Sequence, residues 1–198
     1  MKVKTGGFKA KILQYHAKTY ENSFCAIKLF GSPIAPIGLW IEFAGPATRL
    51  ISKSNKMGIL YKFAKGGGKI PYIGKNAEQK GRESALTQLL LEAFVREGIS
   101  VPRFQTKTDI IATLGAQSGR WDSHNCTKFI GDWLQGLGII NDDSDAEIKC
   151  FKKSDYLDDT EILGTTQIII QPRDQVSMLT EDYIGKVKRA STGYKYIG

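Results

Sequence analysis

Apolar positions recur along the chain with two periods, and the switches between them outline most of its elements. Between Asn76 and Gly98, Leu86, Leu89, Leu90, Ala93 and Phe94 follow the i, i+3, i+4, i+7, i+8 spacing of a buried helical stripe, which Gly98 is placed to end. A second helical pattern follows Asp122. At about 100° per residue, Cys126, Phe129, Ile130, Trp133, Leu134 and Leu137 share one arc, and His124, Asn125, Lys128, Asp132 and Gln135 lie opposite. Asp122 or Ser123 can cap this helix, and Gly136 with Gly138 can close it after about three turns.

The period falls to two elsewhere. Phe24 to Phe30, Leu39 to Phe43, Lys107 to Leu114 and Thr165 to Gln171 read as strands, and so does the stretch where Ala146, Ile148 and Cys150 alternate with Glu147, Lys149 and Phe151. Gly58 to Phe63 and Lys69 to Ile73 read as a hairpin around a glycine-rich tip. The expected class is α+β, a mixed β-sheet packed with two main helices. If the second helix packs on a sheet containing both flanking strands, the turns at its two ends are expected to bring Asp122 and Asp143 together.

A chain of 198 residues with 41% hydrophobic composition buries a core without a disulfide or metal to staple it. Cys25, Cys126 and Cys150 are odd in number and lack CxxC spacing, so reduced core thiols in a reducing interior are expected. No stretch reads as a membrane span or a signal peptide. Charge becomes informative once located. Residues 1–121 hold 19 Lys and Arg against 7 Asp and Glu, whereas residues 122–161 hold 4 against 10, within a chain of net charge +8. A basic body around a compact acidic centre suits a metal-dependent nuclease, with cations for phosphates and carboxylates for divalent metal. A solvated surface with an acidic turn gives the same numbers, so motifs must decide.

Two tempting motifs fail. Gly66-Gly67-Gly68-Lys69 lacks the first glycine and the final Ser or Thr of a phosphate-binding loop, which are Phe63 and Ile70 here. An EF-hand starting at Asp143 requires Gly and Glu where Ile148 and Ser154 stand.

The constellation that holds is Asp122, Asn125, Lys128 and Asp132, a D-x-x-N-x-x-K string with a further Asp, followed by the pair Asp142-Asp143. It resembles the RusA-like Holliday junction resolvases of bacteria and their phages. Phe43-Ala44-Gly45-Pro46 resembles that family's first strand and turn, and Thr166 to Pro172 its closing strand. The likeness covers roughly Leu39 to Pro172. It implies an endonuclease domain at residues 39–172, preceded by an extension with a first strand (1–38) and followed by a basic tail (173–198). One position departs from the pattern: the family's second aspartate is His124.

What the resemblance implies is specific. The activity is hydrolysis of phosphodiesters in four-way or other branched DNA during recombination and repair, by an intertwined homodimer in the cytoplasm of a bacterial host. The cofactor is Mg²⁺, with Mn²⁺ as the alternative. Asp122 and Asp143 are the expected main metal ligands, with Asp142 and Asp145 either further ligands or members of a solvated turn. Lys128 is expected at the scissile phosphate or at developing negative charge. His124 is open between metal ligand, general base and a change that has cost activity, the last leaving a non-catalytic branched-DNA-binding protein. Arg49, Lys53, Lys56, Lys65, Lys69 and Arg120, with Lys128, are the expected DNA contacts. Residues 1–21, Lys-rich with Phe8, Tyr15 and Tyr20, read equally as a nucleic-acid arm or as an extension packed on the domain. The tail is open between DNA arm, disordered segment and dimer contact.

Overall fold

In a computed structural model, residues 6–49, 57–63, 67–115, 123–152, 165–173, 187–190 and 193–196 are described. The side chains of Gly6, Met57, Gly58, Phe63, Ser123, His124, Asn125, Lys152 and the last two strands lie outside that description. Five strands form one mixed sheet in the order β1-β2-β7-β5-β6. They are β1 (Phe24–Ser32), β2 (Ala35–Ala44), β5 (Thr108–Leu114), β6 (Ala146–Lys152) and β7 (Thr165–Pro172). Every neighbouring pair is antiparallel except β5 and β6.

That parallel pair needs a crossover, which α3 (Ser123–Gly136) supplies. The register aligns Ile41 with Ile27 and Ile168, and Ile168 with Ala112, so alternate residues of four strands build one apolar face. α3 lays Cys126, Phe129, Ile130, Trp133 and Leu134 into the same core, all buried, and Leu137 packs at its margin. α2 (Ala77–Arg96) joins them there: Trp133 Nε1 donates to Thr87 Oγ1 at 2.9 Å, and the Trp133 ring lies 6.0 Å from that of Phe43. The sequence limits of α2 are readable locally, because Asn76 Oδ1 accepts the Gln79 amide at 2.9 Å and Gly98 takes the left-handed conformation at φ +65°.

Three helices are present among the described residues, where the hydrophobic pattern predicts two. Residues 6–20 form α1 (Gly6–Tyr20), which packs along α2. His16 Nε2 pairs with Gln88 Oε1 at 3.0 Å, the Tyr20 hydroxyl donates to the Glu92 carboxylate at 2.8 Å, and the Lys80 ammonium sits 5.5 Å from the Phe8 ring centre. α1 escapes the pattern because much of its docking is polar. Thr19 is its buried residue, whereas Leu13 is 69% exposed. The extension packs on the domain, as one of its two readings expects. Because β1 and β2 pair along their whole length, the division at residue 38 falls inside a strand of the main sheet.

β3 (Met57–Phe63) and β4 (Lys69–Lys75) form the expected hairpin, separate from the main sheet. In the tail, β8 (Val187–Ala190) and β9 (Gly193–Tyr196) form another, which the composition did not indicate. All three cysteines are free thiols, Cys25 and Cys126 buried and Cys150 half-buried. Among the described residues no helix is long and apolar enough to cross a membrane.

Candidate functional site

One end of the sheet's inner strands gathers the starts of two segments that the sequence marks as functional. The buried Thr166 hydroxyl accepts the Gly115 amide at 2.8 Å, where the chain leaves β5, and donates to the Thr48 carbonyl at 2.6 Å, where it leaves the 3₁₀ turn Gly45–Thr48 after β2. Gly45 sits at φ +74°, and a Cβ there would run into the Asn22 carbonyl, so the turn admits only glycine. Arg49 emerges exposed from this end. Lys53, Lys56, Lys65, Arg120 and Asp122 lie outside the described residues.

α3 also begins at this end of the sheet, bringing the positive end of its dipole there. His124 and Asn125 occupy that turn, with side chains outside the description, and Lys128 follows on the second turn, exposed. Gly131 is the position where the acidic turn meets the helix. A Cβ built there would lie 3.1 Å from Asp143 Cβ, 3.1 Å from Ile148 Cδ1 and 4.0 Å from Asp143 Oδ2. Asp143 therefore seats its side chain directly on the α3 backbone. By helical rotation, positions 124 and 128 lie about 20° and 60° from the line through Gly131. The lysine, the histidine position and the second acidic cluster share one side of the helix.

The turn reaches Gly131 through a short return path. Gly138 reverses the chain at φ +71°, the Ile139 amide donates to the Leu134 carbonyl at 3.0 Å, and Ile139 and Ile140 are buried. Asp142 then caps the 3₁₀ turn Asp143–Asp145: its Oδ1 accepts the Ser144 amide at 2.9 Å. The Ser144 backbone bond, helped by the Ser144 hydroxyl, holds the Asp142 carboxyl below its ordinary 3.8. Asp142, Asp143 and Asp145 are all exposed. β6 returns beneath the helix, with Thr127 Oγ1 donating to Cys150 Sγ at 3.5 Å. Burial pushes the Cys150 thiol up to about 11, which makes it a poor metal ligand at neutral pH.

The expectation that packing brings Asp122 to Asp143 falls on Asp122, outside the described residues. α3 does pack on a sheet holding both flanking strands, and those strands are parallel. From Ser123 to Gly131 the helix rises eight residues, about 12 Å. Asp143 is thus joined to the middle of α3, nearer Lys128 than the helix start. Among the described residues no group of three or more His, Cys, Asp or Glu side chains is arranged to hold a metal ion.

Sequence reasoning also passed over Gly131 itself. Its signal was a glycine inside a helix, where alanine is better by about 0.8–1 kcal/mol, which asks for a close neighbour. Of the predicted DNA contacts, Lys69 is exposed on β4, and the exposed Lys62 on β3 was not among them. Comparison with known proteins finds no matching family model, curated protein or solved structure.

Proposed function

We propose that the chain is a metal-dependent endonuclease of branched DNA, working as a homodimer on four-way junctions in the manner the RusA-like resemblance implies. The observation that carries this reading is the seating of Asp143 on Gly131, which sets the acidic turn on the side of α3 that bears Lys128. The donor set suits a hard cation: exposed carboxylates, with Asp142 kept ionised by Ser144, and no accessible thiolate beside them. Asp122, His124, Asp142 and Asp143 are the residues proposed to hold Mg²⁺ or Mn²⁺, which when bound supplies an activated water and neutralises the phosphoryl oxygens. Lys128 contributes a cation to the scissile phosphate, supplemented by the positive end of the α3 dipole. Arg49, Lys69 and the other basic residues of 49–75 hold flanking phosphates. A two-fold dimer presents two equal sites, which paired cuts on opposing strands require.

The approximately 12 Å rise from Ser123 to Gly131 favours a second reading, in which His124 has cost the metal site and the scaffold binds branched DNA without cutting it. Nicking of a synthetic four-way junction in Mg²⁺ and in Mn²⁺ separates the two. Wild type is expected to cleave and Asp143→Asn to be slower by about 100-fold or more. Equal cleavage by both proteins would rule out the proposed site.

A further inference from the structure

The β3–β4 hairpin is apolar where a free-standing ribbon should be polar. Two strands outside a larger sheet are marginally stable in water, and they normally face it with polar side chains. Here Ile59 is 67%, Tyr61 61% and Ile73 74% exposed. The register pairs Ile59 with Ile73 and Tyr61 with Pro71, so these residues and Lys69 share one side of the ribbon. Its other side is partly self-covered, with Leu60 and the Tyr72 ring closing over Gly74. At the ribbon base Lys75 is anchored by Glu83 at 2.6 Å.

Charge selects the occupant. From Phe43 through Ala77 the chain contains no Asp or Glu, while Arg49, Lys53, Lys56, Lys62, Lys65, Lys69 and Lys75 fall within it. Lys62 and Lys69 are exposed and have no acidic partner among the described residues. A second copy docking this side on itself would bring together two lysine-rich segments with no carboxylate between Phe43 and Ala77 to offset them. Nucleic acid offers the opposite: phosphates for the lysines, and base faces for a tyrosine and an aliphatic pair.

We infer that the side of the ribbon bearing Ile59, Tyr61, Lys69 and Ile73 is a nucleic-acid-binding arm that takes unstacked bases against Tyr61 and the Ile59–Ile73 pair, with Lys69 beside them on a flanking phosphate and Lys62, on the opposite side of the ribbon, on a further one. Bases at a branch point are already partly unstacked, so the arm favours branched over continuous duplex DNA. The inference takes its ligand class from the DNA reading above, but it does not depend on cleavage.

The test is made on the full chain in EDTA, by fluorescence anisotropy with a labelled four-way junction and a duplex of equal length over a range of salt. Tyr61→Ala is expected to weaken junction binding about 10-fold with the salt slope unchanged, and duplex binding much less. The double variant Lys62→Gln, Lys69→Gln should lower the slope of log K against log salt by about 1.8 on both DNAs. All three side chains are exposed, and unchanged circular dichroism confirms that the variants fold. Wild-type binding by both variants overturns the arm. So does a shift from dimer to monomer in Tyr61→Ala with DNA affinity intact, which would make the ridge a contact between copies. Loss of junction cleavage in Asp143→Asn with these EDTA affinities unaltered bears on the catalytic reading alone.

Discussion

Gly131 joins the helix with the lysine to the turn with the carboxylates, and its replacement sets two effects against each other. Alanine gains about 0.8–1 kcal/mol of helix propensity, while its methyl meets Asp143 Cβ and Ile148 Cδ1 at 3.1 Å. Asp143 is exposed and free to give by a few tenths of an ångström, so Gly131→Ala should melt at or slightly above the wild-type temperature. Displacing Asp143 should nevertheless lower junction cleavage about 10-fold. A fall in melting temperature would show instead that the turn is rigidly held. Asp142 gives a pH signature. Its folded carboxyl titrates below 3.8 because it accepts the Ser144 hydrogen bonds, so its contribution is present above that pH and lost as pH falls through the folded value. Protection of the Ser144 amide, its exchange relative to an unstructured amide at the same pH, should therefore fall on acidification through this range. Asp142→Asn, which keeps an acceptor without the titration, should flatten the fall.

At the scale of elements, most boundaries were legible because their causes are local. Asn76 and Gly98 bracket α2 by a cap and a left-handed residue, and five of the six residues in the predicted arc of α3 are buried, Leu137 partly so. α1 was not legible, because its docking depends on hydrogen bonds to residues 72 positions away, which no periodicity records. It lies tightly against α2 at Gly81, where a Cβ would strike the Ile12 carbonyl and the Tyr15 Cβ. Backbone cannot yield as a side-chain tip can. Gly81→Leu should lift α1 from α2 and cost about 1–3 kcal/mol, read as faster proteolysis within residues 6–20 and a lower melting temperature. Unchanged protease resistance would mean that α1 docks without that contact.

For the whole molecule the proposed chemistry predicts linked behaviour towards metal and DNA. Mg²⁺ at 100 times its Kd should stabilise the fold by about 2.7 kcal/mol, raising Tm by roughly 5–10 °C, and Asp143→Asn should lose most of that rise. EDTA should abolish cleavage while leaving junction binding, since the phosphate contacts come from Lys and Arg. A protein whose Tm ignores divalent cations, yet which binds junctions, would support the non-catalytic reading.

The sequence alone determined the α+β class, the stripes of α2 and α3, the five strands of the main sheet and the hairpin between β3 and β4, because period, caps and turn residues act within a few positions of one another. Only the tertiary structure decided that β5 and β6 run parallel, that α1 docks on α2, and that the acidic turn settles at Gly131 in the middle of α3. Strand direction and helix docking follow from which distant surfaces fit. A residue's own neighbours in the chain carry no record of that fit.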